Sequence, residues 1–260
     1  MSEVRYEDRM RTRPPSGEAV APTRNVRPEA RVMHGRYCTL EPLDPTCHAA
    51  DLYAASHGQP GQERLWDWLP AGPFVNFSSF QQWISDCAAS TDPLFFAVRD
   101  VSIDRATGMA SYLNIHPLPA TIEIGHVMFG SPLQKTPAAT EALYLLMDYA
   151  LSDLGYRRLE WKCNALNAPS RRAANRLGFR YEGTFYQHLI VKGHNRDTAW
   201  YSILDSEWPR LRPNFERWLA PENFDEQGKQ LVQLSELNKP ADDGPESGAV
   251  SSGMDRSRRS

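Results

Sequence analysis

Asn167-Ala168-Pro169-Ser170-Arg171-Arg172, continuing into Arg176-Leu177-Gly178-Phe179 and Glu182-Gly183, organises the chain around it. Asn167 can cap a helix that opens at Pro169, where the missing proline N–H would be unpaired anyway. Leu177-Gly178 closes that helix, because glycine takes the left-handed conformation found just past a helix end. Immediately upstream, Arg158–Cys163 reads as a strand. Downstream, Tyr181–Val191 and Thr198–Leu204 read as two strands joined through Lys192-Gly193-His194-Asn195.

Working back toward the N-terminus, Leu143, Leu146, Met147, Ala150, Leu151 and Leu154 form one face of a long helix. Pro137 suits its first turn and Gly155 its end. Before it come the strands Met109–Ile115 and Thr121–Phe129, which read as an antiparallel pair, and a turn from Asp104 to Gly108. Leu94–Arg99 is a compact apolar strand. Ser78 or Ser79 can cap a helix carrying Phe80, Trp83, Ile84 and Cys87, and Asp44 can cap another running through Ala55 to Gly58. Tyr37–Leu40 is the first strand, and a last helix starts near Ser206, with Pro213 expected to break or restart it. The result is a mixed α/β (α+β) domain, single, with a mostly antiparallel central sheet flanked by helices. Only the unit 121–163 implies a parallel crossover.

The domain is expected over 31–222. Residues 1–30 hold four prolines and little apolar periodicity, which reads as a flexible arm. Residues 223–260 read as a peripheral helix within 224–237 followed by a disordered tail. The formal net charge of −3 supplies no basic field, so no nucleic-acid partner is expected. No apolar run approaches the roughly 20 residues of a membrane helix, so no membrane partner is expected either. Cys38, Cys47, Cys87 and Cys163 form no C-x-x-C pair, which argues against a metal site and for reduced thiols in the cytoplasm or nucleus.

The spacing N-x-x-S-x-R, then LGF, then EG, resembles the GNAT superfamily of acyl-CoA-dependent N-acyltransferases over about 31–205. Within it, the likeness is to the branch that includes the ribosomal-protein N-terminal acetyltransferases. The resemblance implies transfer of an acetyl group from acetyl-CoA to a primary amine (a protein N-terminus, an amino acid or a small amine) by direct attack in a ternary complex. The implied partners are acetyl-CoA and that amine, with the protein a monomer or homodimer and no metal. It implies that the pyrophosphate is held on the stretch Gln134-Lys135-Thr136-Pro137-Ala138-Ala139-Thr140, a loop feeding a helix N-terminus. Gln134 and Ala139 fit the family loop, whereas Pro137 stands where glycine is usual and donates no N–H. Lys135, Thr136 and Thr140 are expected to compensate through side-chain donors, beside the Ala138 and Ala139 backbone. Met128 and Phe129 end the strand along which the pantetheine would pair, and Asn164 and Asn167 follow the next strand.

For proton transfer, many family members use a tyrosine seven residues after the motif asparagine, a position held here by Ala174. The ribosomal-protein branch uses the motif serine as the acid that protonates the departing thiol, and Ser170 matches it. That branch's base, a glutamate nineteen residues beyond the serine, is replaced by Leu189. His188, Glu123 and His126 are the remaining base candidates. A strictly alternating strand would point His188 and Leu189 to opposite faces. Arg196-Asp197 pair either with the substrate or with each other, and Trp66, Trp68 and Phe74 are read as an aromatic wall of the acceptor pocket or as core. Ala174, Leu189 and Pro137 also admit an alternative, an acyl-CoA-binding regulatory module without turnover.

Overall fold

The computed structural model describes residues 17–239. Its strands are β1 (Met33–His34), β2 (Cys38–Pro42), β3 (Leu94–Asp100), β4 (Arg105–His116), β5 (Thr121–Phe129), β6 (Arg158–Asn164), β7 (Arg180–Val191) and β8 (His194–Leu204). They form one sheet in the order β1-β2-β3-β4-β5-β6-β8-β7. Every neighbouring pair is antiparallel except β5 with β6. The helices are α1 (Pro45–Ser56), α2 (Phe77–Ala88), α3 (Pro137–Asp148), α4 (Ala168–Arg176), α5 (Trp208–Leu219) and the single turn α6 (Leu234–Leu237). As the crossover rule requires, the one parallel pair is joined through a helix, α3.

The sheet buries both faces. One core joins Leu40, Phe96, Tyr112, Ile122 and Leu159 to the apolar sides of α3 and α5. The other joins Phe95, Ala97, Met109 and Met128 to α1 and α2. Across the first core, Glu141 of α3 is buried and accepts the amides of Arg36, Tyr37 and Cys38 at 2.8, 2.6 and 2.8 Å. The start of β2 is thereby tied to the crossover helix.

Several local expectations are corrected. The second helix is capped by Asn76, whose Oδ1 accepts the Ser79 amide at 2.9 Å, and not by Ser78 or Ser79. The turn after β3 ends at Asp104 (φ 50°), because Arg105 already pairs with Asp100. The last two strands meet in a tight hairpin at Lys192 and Gly193, with φ of 49° and 77°, so β8 begins at His194 and not Thr198. Positive φ at both central residues matches the twist of the flanking strands. α5 runs unbroken through Pro213. That proline sits in the middle of the helix and removes one backbone bond, while burial of Leu211, Phe215 and Trp218 holds the helix together. The polar stretch 224–237 is helical only at Leu234–Leu237, since the Asp225 carboxylate captures the amides of Gln227 and Lys229 and bends the chain instead. Residues 1–16 and 240–260 of the expected arm and tail lie outside the described residues. In the described part of the arm, Arg24 and Arg31 reach Asp153, and the Val26 carbonyl accepts from Tyr156.

The motif from Asn167 to Gly183 also has structural duties. Gly178 has φ 92°, and a Cβ there would stand 2.8 Å from Leu211. Arg176 is turned inward, donating to the Thr140 hydroxyl at 3.1 Å beneath the Trp218 ring. Glu182 accepts both Arg158 Nη atoms at 2.7 and 2.6 Å and the Ser202 hydroxyl at 2.6 Å. The Arg158 guanidinium holds the Glu182 carboxyl down at about 2.

Candidate active site

β5 and β6 pair only at Thr121–Arg158, Ile122–Leu159 and Glu123–Glu160, and then part. Past that point a groove of about 1420 Å³ opens between them, roofed by the segment 61–70 and the β7–β8 hairpin. Lys192 at the hairpin tip donates to the Trp66 carbonyl at 2.8 Å and joins the two parts of the roof.

Two irregularities shape the groove. In the β4–β5 register, Met109 faces Met128 and Ser111 faces Gly125, so Ala110 alone opposes both His126 and Val127. This is a β-bulge, with His126 at φ 48°. Such a bulge takes a residue out of the ladder and re-aims the side chains beside it. The second lies in β7, where Phe185 faces Thr198 and Leu189 faces Arg196. The Gln187 amide there (φ 51°) is held by the Asp197 carboxylate at 2.7 Å. Alternation is broken, and His188 and Leu189 both line the groove, against the expectation of opposite faces.

Glu123, on the last paired position of β5, is 5% exposed. Its Oε2 accepts Lys162 Nζ at 2.8 Å and Asn114 Nδ2 at 2.7 Å. Lys162 also reaches Glu160 at 2.7 Å and lies 4.0 Å over the Trp200 ring. Burial pushes the Glu123 carboxyl above the usual carboxylate range, partly offset by the Lys162 ammonium. Oε1 has no hydrogen-bond partner among the described residues and lies 3.6 Å from where a Gly125 Cβ would stand, on the side of the bulge. Lys162, Asn114 and Trp200 escaped the sequence reading, because they meet Glu123 only through sheet pairing.

Across the opening, Asn167 caps α4, its Oδ1 accepting the Ser170 amide at 3.1 Å. Asn164 spends its Oδ1 on the Leu166 amide at 2.9 Å. The Ser170 hydroxyl accepts Trp161 Nε1 at 3.0 Å. Its own proton is therefore not needed by the indole, and the Cys163 sulfur lies within its hydrogen-bonding reach. Ala174, at the family's tyrosine position, is fully buried. His188 Nδ1 meets the Thr198 hydroxyl at 3.0 Å. His126 Nδ1 meets Ser111 Oγ at 3.1 Å, and burial, followed by the Arg196 charge, lowers its pKa.

At the N-terminus of α3 the expected donors divide. Thr136 caps the helix, accepting the Ala139 amide at 3.2 Å and donating to the Leu133 carbonyl at 2.7 Å. Thr140 is buried and faces Arg176. The Thr136 proton is spent on the cap, and Thr140 is buried away from the groove, against the expectation that these hydroxyls compensate for Pro137. Gln134 donates to the Phe129 carbonyl at 2.8 Å, and Met128 is buried while Phe129 lines the groove. Lys135 (φ 63°) and Arg172 both line the groove. Among the described residues the amides of Lys135 and Ala138 have no partner.

Of the expected aromatic wall, only Trp68 lines the groove. Trp66 is fully buried and packs edge-on against Phe74, Phe80 and Trp83, because three aromatic elements converge there. Arg196 and Asp197 do not pair, since Asp197 is committed to Gln187 and Asn195. Arg196 Nε and Trp200 Nε1 are buried with no hydrogen-bond partner. Among the described residues no group of three or more His, Cys, Asp or Glu could hold a metal ion, and no helix is long and apolar enough to cross a membrane.

Residues 38–180 match the acetyltransferase (GNAT) domain. The fold superposes on a GCN5-related N-acetyltransferase from Brucella melitensis with TM-score 0.80 and 46% identity, covering 82% of this chain and 96% of that one. YdaF of Bacillus subtilis, which carries the name of a ribosomal N-acetyltransferase, is 31% identical over 101 residues, 39% of this chain and 55% of YdaF. The chain spans little more than half the length of such curated relatives. RimJ of Mycobacterium smegmatis, solved with CoA-disulfide, shares the fold at TM-score 0.56 and 24% identity, covering 66% of this chain and 84% of RimJ.

Proposed function

Because this chain belongs to the GNAT acetyltransferase family, we propose that its groove brings acetyl-CoA and a primary amine together and passes the acetyl group directly between them. The parting of β5 from β6 after Glu123, facing the bulge at His126–Val127, carries this reading. It opens a path between the two sides of the sheet at its one parallel pair.

The residues at the α3 N-terminus fit the phosphates of CoA. The free amides of Lys135 and Ala138, the helix dipole and the Lys135 and Arg172 side chains offer donors and positive charge. Pro137 removes one amide, and the lysine and arginine charges offset that loss. Acetyl-CoA supplies an activated carbonyl and a thiolate leaving group. Glu123, through its unpartnered Oε1, takes the proton from the amine as the new C–N bond forms. An amide of the bulge donates to the carbonyl oxygen as its negative charge grows. As the C–S bond breaks, Ser170 gives its proton to the sulfur. The Trp161 N–H on Ser170 Oγ eases that transfer by stabilising the oxygen left behind. Glu123 and Ser170 then recover their resting states by exchange with solvent.

Glu123 must be ionised to act, so CoA release should rise with pH through the raised Glu123 pKa. Following free thiol against pH with a panel of primary amines tests this. The Glu123→Gln variant should lack that rising limb. A limb that persists unchanged in the variant would assign the base to another group.

A further inference from the structure

On the reading of the groove as an acyl-transfer site, we propose that Arg196 is a carboxylate anchor, so that the acceptor is an amine bearing a carboxylate, of the amino-acid class. The two cations on this part of the groove wall differ in how they are satisfied. Lys162 has Glu123 and Glu160 at 2.8 and 2.7 Å and the Trp200 ring at 4.0 Å. Arg196 has none of these. Its Nε is sealed from water with no partner, and among the described residues no carboxylate and no hydrogen bond reaches its guanidinium. The adjacent acid, Asp197, is turned away to the β7 bulge. A buried donor left unmade is costly, and more so when it carries charge. An anion in the groove would give this guanidinium the partner it lacks.

The position decides which anion. Arg196, Thr198 and Trp200 alternate along β8 and line the groove under the hairpin. The charge of Arg196 is felt by both His126 at the bulge and Cys163 beside Ser170, so it stands at the reacting end of the groove and not at the α3 N-terminus where Lys135 lies. Trp200 Nε1, also buried without a partner, offers a second donor on the same strand. A planar guanidinium matches a carboxylate through two parallel hydrogen bonds. An acceptor held this way presents a nearby amine to the bulge. A polyamine carries no carboxylate and offers Arg196 no partner.

The test compares the protein amino acids with their C-terminal amides as acceptors for the full-length protein. The wild type should favour the acid over the amide by roughly 10- to 100-fold in kcat/KM, expressed mainly in KM. Arg196→Gln should collapse that ratio to about one, and Arg196→Lys should keep part of it. Equal use of acids and amides by the wild type would overturn the proposal, as would an Arg196→Gln variant that keeps the wild-type ratio. Thermal shifts of the CoA-loaded protein with the same panel supply a second readout, independent of turnover. Stabilisation by acids but not amides, lost in Arg196→Gln, supports the anchor even if no thiol is released, in which case acyl transfer is what fails. No stabilisation by any acid and no preference in turnover overturns the anchor itself.

Discussion

Replacing Glu141 by glutamine will lower the free energy of unfolding by about 3–5 kcal/mol. The carboxylate is 5% exposed, and its two oxygens receive three backbone amides from Arg36, Tyr37 and Cys38. Hydrogen bonds to an ionised group contribute about 1.5–3 kcal/mol each, and a buried donor left unmade costs a similar amount. Glutamine keeps one acceptor oxygen and turns an NH2 group toward at least one of the amides, so donor faces donor. Packing allows no escape, because a Cβ at Gly35 would already stand 2.4 Å from the Glu141 carboxyl. Chemical denaturation should give a lower midpoint with an unchanged slope. A loss under about 1 kcal/mol would mean that the start of β2 is held by other contacts.

Glu123→Gln and Ser170→Ala will each reduce kcat/KM for acetyl transfer by about 100- to 10,000-fold, the usual range for losing a general base or acid. Their kinetics should differ. Glu123→Gln leaves Glu160 as the one carboxylate on Lys162 and removes the basic carboxylate at the bulge, so the loss falls on kcat, is largest at high pH and shrinks as the wild-type carboxyl protonates at low pH. Ser170→Ala removes the proton donor for the thiol and leaves the Trp161 N–H unpaired. Its effect should shrink when the leaving thiol is more acidic, since such a thiolate departs without help. The measurement is steady-state kinetics on both variants with acetyl-CoA and with a thioester of lower thiol pKa. Should neither change kcat/KM by as much as tenfold, the acid and base lie elsewhere, with His188 next in line on the groove wall.

Where local chemistry decides structure, the chain could be read directly. Asp44 caps α1, Gly155 and Gly178 take positive φ after their helices, and Thr121–Phe129 is a strand with those very ends. The parallel crossover came from the same logic, a strand, a helix and a strand in order. What escaped was set by partners distant in sequence. The bulges at His126 and Gln187 depend on how β4 meets β5 and β7 meets β8, and nothing in either residue announces them. The Glu123–Lys162 pair spans 39 positions, and Trp200 joins it from a third strand. Thr136 and Thr140 looked like phosphate donors because their hydroxyls are close in sequence to the loop. One is spent on the helix cap, and the other is buried and accepts from Arg176, which comes from α4. Ser170 could be found from its motif, but the Trp161 indole that donates to its oxygen could not.

Acetyl transfer itself is tested most directly by mass spectrometry of the products formed when the full chain, isotope-labelled acetyl-CoA and a panel of amino acids and peptides are incubated together. The predicted result is a labelled N-acetyl product in an amount equal to the free CoA released, with no label retained on the protein. Tight binding of acetyl-CoA with neither labelled product nor free CoA would contradict it, and so would label carried covalently on the chain.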